Sequence, residues 1–238
     1  MQTTGDSLTT KLKLLIHGES GAGKTSLAKT IKGEVLVVSS EAGLLCLKDS
    51  KIDYIDITVG DKGEVIAKEK RIERLAEVYK YLLSTECINK YDCIFLDSLT
   101  EISQNLMEKL NAEYPNKKDS LVMYGENAKQ MRSIVKLFRD LPHYHVVMTA
   151  LSSIDKDENN KRYKGIDVTG RISNQLPAFF DEVFYLSVVD DKEKGEQRFL
   201  VTSKTDSVIC KDRSGKLDKF ERPDLSNIFN KILKEKRC

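Results

Sequence analysis

"HGESGAGKTSLAKT", residues 17–30, sets Gly18, Gly21 and Gly23 within six positions, directly after the apolar run "LKLLI" and directly before a segment with helical spacing. Gly18, Gly23, Lys24 and Thr25 match G-x-x-x-x-G-K-[ST]. Glycine frees successive backbone N–H groups from side-chain obstruction, so that they point into one concavity and hold phosphate oxygens. The candidate cradle is Gly18, Glu19, Ser20, Gly21, Ala22, Gly23, Lys24, Thr25 and Ser26. Lys24 is placed to reach the β- and γ-phosphates of ATP, and the Thr25 hydroxyl to ligate Mg²⁺. A glycine-rich turn that matches by accident needs no ordered neighbours. Here Leu12 to Ile16 predicts a strand before the loop, and "KTSLAKTIK" predicts a helix of barely more than two turns after it, stopping at Gly33.

The same alternation continues outward. "EVLVVSS" predicts a second strand that is apolar almost throughout, as a parallel sheet covered on both faces requires. "KIDYIDIT" reads as a weaker edge strand, and Glu64 to Leu83 carries helical spacing at Val65, Ile72, Leu75, Val78 and Leu82. "YDCIFLDSLT" gives a buried strand, Cys93 to Leu96, ending in Asp97 and followed by a helix through Leu110. A polar connection leads to a helix from about Asn127 to Leu141, and "HVVMTA" is the fourth strong strand. "SSIDKDENNKRYKGIDVTG" is too long and polar for a simple connection and reads as a functional loop. "DEVFYLSVV", "QRFLVTS" and "SVICKD" read as closing strands and Leu225 to Lys234 as a terminal helix. The expected fold is α/β: a doubly wound, mostly parallel sheet of the P-loop NTPase kind, with helices on both faces. We read residues 1–238 as one domain, with residues 1–10 as a flexible tail.

Composition narrows the function classes. The 238 residues are 40% hydrophobic and 32% charged, and no apolar run approaches membrane length, so no membrane partner is expected. "MQTTGDSLTT" has neither a basic n-region nor an apolar h-region, and the expectation is a cytoplasmic protein. Cys46, Cys87, Cys93, Cys210 and Cys238 are widely spaced with no C-x-x-C pair, which fits free thiols, and His17, His143 and His145 form no ligand cluster. A formal charge of +2 does not point to nucleic acid, though it leaves room for a local basic groove.

Hydrolysis of a nucleoside triphosphate needs a carboxylate on Mg²⁺ and a second one beside the attacking water. Asp97 ends an apolar strand, where a metal-holding acid must sit; a helix cap is the plainer role for such a residue. For the second acid, Glu41 follows the second strand in "VVSSEAG", and Glu101 lies one turn into the next helix, where a dipole-favoured surface glutamate explains it. The choice falls on Glu41. Thr149 ends the fourth strand, where a hydroxyl could sense the γ-phosphate or the water, although threonine is also simply common in strands. Lys211 and Arg213 in "KDRSGKLDKFE" are two apart on an extended segment and leave one face, a pair able to complete a neighbouring subunit's site or to form a solvated basic turn.

Taken together, "GESGAGKTSLAKT", "VVSSEAG", "YDCIFLDSLTEIS", "FRDLPHYHVVMTA", "DEVFYL" and "KDRSGKLDKFE" resemble, in this order from Leu12 to Ile232, the phage-encoded ATPases of the RecA/Rad superfamily that act in single-strand annealing or recombination. The resemblance implies Lys24 and Thr25 as nucleotide and Mg²⁺ contacts, Asp97 as the Walker B acid, Glu41 as the catalytic glutamate, and Lys211 with Arg213 as basic residues inserted in trans. It implies a homo-oligomer, ring or filament, acting on single-stranded DNA, with a single-stranded-DNA-binding protein as a further partner and the host cytoplasm as its place. DNA-contacting loops then fall at about Asn111 to Tyr124 and Ser153 to Gly170, the second carrying Lys156, Lys161, Arg162 and Lys164, followed by Arg171. The chain departs from bacterial recombinases, which end the fourth strand in a nucleotide-sensing amide; here Thr149, Ala150, Leu151 and Ser152 stand instead.

Two other readings compete: a nucleotide-kinase-like phosphotransferase, which needs an acceptor pocket and an arginine-rich lid, and a slow-hydrolysing nucleotide switch without DNA binding. An AAA+ motor is disfavoured because little chain remains after Asp212 for a helical lid domain.

Overall fold

Runs such as "KLLIHG", "VLVVS" and "CIFLD" become β1 (Lys13–Gly18), β2 (Val35–Ser39) and β4 (Cys93–Asp97), with β3 (Asp53–Asp56) between the last two in sequence. The computed structural model describes residues 11–41, 43–114, 120–156, 158–193 and 195–234; the expected tail, residues 1–10, and Cys238 lie outside them. Strand alternation sends successive side chains to opposite faces. Leu15, Leu36, Val38, Ile94 and Leu96 therefore share one core with α1 (Arg71–Leu82), α3 (Leu99–Glu113) and α4 (Ser120–Arg139). Leu14, Ile16, Val35, Val37 and Phe95 share the other with Leu27, Ala28 and α5 (Leu225–Leu233). Emptying either is expensive: truncating a fully buried Phe95 to Ala costs about 3–5 kcal/mol. The short α2 (Thr85–Lys90) is capped by Ser84, whose hydroxyl accepts from the Cys87 N–H, and leads into β4.

The remaining strands are β5 (His145–Lys156), β6 (Arg162–Ile166), β7 (Glu182–Asp191), β8 (Gly195–Val201), β9 (Lys211–Asp212) and β10 (Phe220–Glu221). Their order is β10-β8-β7-β1-β5-β4-β2-β3, with β6 paired to β5 and β9 to β7. The block β7-β1-β5-β4-β2-β3 is parallel throughout, so its carboxyl ends share one edge. Strands alternating with helices thus give the expected α/β P-loop NTPase fold, with two faces covered.

Several elements differ from the sequence expectation. The segment after the glycine loop is six residues of 3₁₀ helix, Thr25–Thr30, ended as the chain turns toward Gly33 at φ +106°. α1 starts at Arg71, and Val65 is 80% exposed, so its helical spacing is coincidental. α4 starts at Ser120, before Asn127, because its first turns expose Leu121, Val122 and Tyr124 and show no apolar periodicity. Only Lys211–Asp212 of "SVICKD" is strand.

The largest correction concerns the expected loop after "HVVMTA". β5 runs on past the sheet and returns as β6, pairing Ser152 with Ile166 through to Lys156 with Arg162. The projecting part packs on no core, so it lacks the apolar alternation that marks a strand. β7 does the same: beyond Leu186 it leaves β1 and pairs only with β8. Two hairpins thus rise above the carboxyl edge on either side of β1. Among the described residues no helix is long and apolar enough to cross a membrane.

Candidate phosphate site

β1 ends at Gly18, and the loop after it bends through positive φ at alternate residues, +77° at Gly21 and +101° at Gly23, a conformation that disfavours any side chain. Such alternation turns successive N–H groups toward one centre. Gly18 is needed for a different reason: a Cβ there would stand 2.9 Å from the Leu186 carbonyl of β7. Lys24 is only 9% exposed, and its Nζ donates to the Gly18 carbonyl at 3.0 Å and the Glu19 carbonyl at 2.8 Å. Burial lowers its pKa, opposed by the charges of Asp97 and Glu41.

Three neighbouring strands, β5, β4 and β2, supply the rest. β5 lies between β1 and β4, with Thr149 beside Ile16 and Met148 beside Leu96, so Thr149 comes to rest next to Asp97. The Thr149 hydroxyl donates to Asp97 Oδ1, and the Thr25 hydroxyl donates to Asp97 Oδ2 at 2.5 Å. Thr149, expected as a sensor of phosphate or water, thus bonds to Asp97, the acid expected at the metal. β2 pairs Ser39 with Asp97, and two residues on Glu41 accepts from the Ser98 hydroxyl. Burial raises the Glu41 pKa; the Ser98 bond opposes this, and the charges of Asp97 and Glu101 add to it. Ser98 also caps α3, accepting from the Glu101 N–H at 3.5 Å.

These groups meet in a cavity of about 230 Å³ lined by Ser20, Gly21, Gly23, Lys24, Thr25, Ser26, Glu41, Cys46, Asp97 and Leu151; Glu101 is not on its wall. A larger open groove of about 560 Å³ follows α5 past Lys32, Arg222 and Lys231 and shares none of these residues. We place the site in the smaller one because it holds the glycine turn, a buried lysine and two carboxylates together. A hydroxyl and a carboxylate already in contact form a hard-oxygen donor set suited to Mg²⁺, and the positive-φ loop suits a phosphate chain.

Of the cations expected on the second loop, Lys164 on β6 reaches the glycine loop itself and pairs with Glu19, holding that carboxyl below its usual range. Lys161 pairs with Asp206 at 2.6 Å, and Lys156 and Arg162 are exposed. The Arg171 side chain and residues 115–119 of the first expected loop lie outside the described residues. An apolar groove of about 310 Å³ runs beside the hairpin between Ile154, Tyr163, Tyr185 and Val208, rimmed by Arg162 and Lys164. At its base His17, fully buried, sits 2.7 Å from the Ile209 carbonyl through Nε2 and 2.9 Å from the Ser152 hydroxyl through Nδ1. The carbonyl can only accept, so Nε2 carries the proton. Burial lowers the His17 pKa to about 4, and the ring is neutral.

One residue near the site was not singled out by the sequence. Arg198 of β8 donates through Nε to the Ala22 carbonyl at 3.0 Å. A charged residue within "QRFLVTS" is its only trace.

Lys211 and Arg213 are not brought to the site. β9 pairs with the start of β7, at the level of Leu15, and Arg213 bonds to Asp181 beside Lys13. Three residues of strand, roughly 10 Å, separate the level of Lys211 from Gly18, and five, roughly 16 Å, that of Arg213. Lys211 Nζ donates to the Pro177 and Phe180 carbonyls at 3.0 and 2.7 Å; Arg213, more than half exposed, pairs with Asp181 at 2.9 Å.

A family model described as an AAA domain matches residues 10–214. The described chain after residue 214 forms β10 and α5 and no helical lid domain. No curated protein matches the sequence. A solved structure described as a prototypical ATPase from the type III secretion system of pathogenic bacteria is similar over 74% of this chain and 52% of that one, with 13% identity and a TM-score of 0.49. The chain spans about half the length of that ATPase.

Proposed function

The chain belongs to the AAA domain family, and on that footing we propose that its site hydrolyses ATP with Mg²⁺. The carrying observation is the meeting of Lys24, Thr25, Asp97 and Glu41 in one cavity at the carboxyl ends of adjacent strands. Lys24 leaves its two carbonyls to hold the terminal phosphates. Thr25 and Asp97 hold Mg²⁺, with Asp97 oriented by Thr149. The metal, when bound, neutralises charge developing on the β- and γ-oxygens. Glu41 accepts a proton from water as its oxygen bonds to the γ-phosphorus and the bond to the β–γ bridging oxygen breaks, leaving ADP and phosphate. Glu41→Gln should bind ATP and Mg²⁺ yet lose turnover by about a hundredfold or more. Near-normal turnover there, with the loss found in Glu101→Gln, would reverse the assignment.

We further propose that this hydrolysis serves annealing or strand exchange on single-stranded DNA, in a cytoplasmic homo-oligomer aided by a single-stranded-DNA-binding protein. The support is the RecA/Rad resemblance and the β5–β6 hairpin. Lys156 and Arg162 face solvent, an apolar groove next to Tyr163 offers base stacking, and Lys164 ties the hairpin to Glu19. Of the two cations proposed to act in trans, Arg213 is the exposed one, paired with the half-buried Asp181. ATPase rate with and without an unlabelled single strand, paired with sedimentation, tests this. If the strand neither binds nor alters the rate, the nucleotide-switch reading replaces it; phosphoryl transfer to a nucleoside monophosphate would instead mark a phosphotransferase.

A further inference from the structure

The β7–β8 hairpin touches the glycine loop at both ends. Leu186 of β7 presses its carbonyl against Gly18, where no Cβ fits, and Arg198 of β8 reaches the other end. Its Nε donates to the Ala22 carbonyl at 3.0 Å and would lie 3.6 Å from a Cβ on Gly23. The guanidinium also pairs with Glu196, two residues back on the same strand face. Gly23 lines the phosphate cavity and Arg198 does not, so the arginine grips the loop from outside.

A trans peptide is planar, with its C=O and N–H pointing in opposite directions. A donor that holds the Ala22 carbonyl outward therefore holds the Gly23 N–H inward, toward the position of the phosphates. Gly23, at φ +101° and without a side chain, has the freest backbone in the loop and gains most from such a hold. We propose that Arg198 is a positioning residue of the phosphate nest: it fixes the Ala22–Gly23 peptide from the outer side and so sets nucleotide affinity. The inference rests on the nucleotide-site reading above. It also makes the β7–β8 hairpin a handle, since displacing its strand from the loop releases the peptide.

The test uses the full chain, a fluorescent ADP analogue with Mg²⁺, and steady-state ATP hydrolysis for wild type, Arg198→Met, Arg198→Lys and Lys24→Ala. Losing one hydrogen bond from a charged donor is worth about tenfold in affinity. Arg198→Met should raise both the Kd for ADP and the KM for ATP by about tenfold, leave kcat within about threefold, and keep the thermal midpoint of the empty protein. Arg198→Lys, which retains one cationic donor, should recover part of the affinity, and the Gly23 amide resonance should shift in Arg198→Met. Unchanged ADP affinity, or a fall in kcat alone, overturns the proposal. So does an affinity loss that follows a lowered thermal midpoint and that lysine does not restore. If Lys24→Ala binds ADP as wild type does, the nucleotide-site reading itself fails; if Lys24→Ala loses binding and Arg198→Met does not, only this inference fails.

Discussion

Replacing Thr149 by Val removes one hydroxyl and nothing else of consequence, because the two side chains have nearly the same shape. Thr149 is fully buried and Asp97 is 5% exposed, so no water readily takes the place of the lost donor. Asp97 keeps the Thr25 hydroxyl on Oδ2 and loses its partner on Oδ1. A hydrogen bond to a buried ionised carboxylate is worth about 1.5–3 kcal/mol. We expect Thr149→Val to lower the unfolding free energy of the empty protein by about 2 kcal/mol, read in urea at neutral pH. The carboxylate, no longer held on its β5 side, should also bind Mg²⁺ up to about thirtyfold more weakly, the same energy expressed as affinity. Mg²⁺ dependence of nucleotide binding measures this directly, and Thr149→Ser, which keeps the hydroxyl, should stay close to wild type in Mg²⁺ affinity. A valine variant with wild-type stability and Mg²⁺ dependence but lost turnover would refute the reasoning. It would return Thr149 to the sensor role expected from the sequence.

Glu182 is buried near Asp212, and burial first, then the Asp212 charge, lifts its pKa from 4.5 to about 8. The folded state thus keeps a proton that the unfolded chain releases above pH 4.5, so stability falls as pH rises until about 8, by about 3 kcal/mol between pH 5.5 and 8. Glu182→Gln should flatten that stretch of a urea-unfolding profile, and parallel profiles would contradict it. Cys46 is exposed on the wall of the phosphate cavity, whereas Cys87, Cys93 and Cys210 are buried. Maleimide labelling of the Cys46 peptide, followed by mass spectrometry, should slow at least severalfold with saturating ATP and Mg²⁺; equal rates would place the nucleotide elsewhere.

The parts of this fold that were legible in the sequence are those where a short stretch settles its own surroundings. "VLVVS" and "CIFLD" can only be buried on both faces, and a chain leaving such a strand must emerge at the carboxyl edge. Asp97 and Glu41 were therefore placeable from strand ends alone. What depended on distant pairing was not. Nothing in "KDRSG" says that Lys211 and Asp212 will lie against the start of β7, a register that sets Lys211 and Arg213 apart from the glycine loop of their own chain. The hairpins escaped for a related reason: beyond the sheet edge neither face of β5 or β7 is covered, so residues such as Asp155, Lys156, Asp190 and Asp191 leave no apolar stripe. Arg198 and Ser98 act through single hydrogen bonds across the fold, to Ala22 and Glu41.

The polar groups of the site already bond to one another, and this has a consequence for pH. Lys24 already donates to two carbonyls, and Thr25 already donates to Asp97. Nucleotide binding must exchange these bonds, so what it gains is the difference between neutral carbonyls and anionic phosphate oxygens as partners for the ammonium. The ammonium's bonds to the carbonyls are already charge-assisted, and phosphate adds the attraction of a full anionic charge, so the exchange favours phosphate only while Lys24 is protonated. Burial lowers its pKa, whereas phosphates beside it would raise it. Nucleotide affinity should therefore begin to fall at a lower alkaline pH than an ordinary lysine would give, and binding there should take up a proton. Calorimetry at about pH 9 in two buffers of different ionisation enthalpy measures that uptake. Lys24→Arg, whose guanidinium stays charged, should bind without it. Equal proton uptake by Lys24→Arg would assign the titration to another group and leave the lysine fully charged in the empty site.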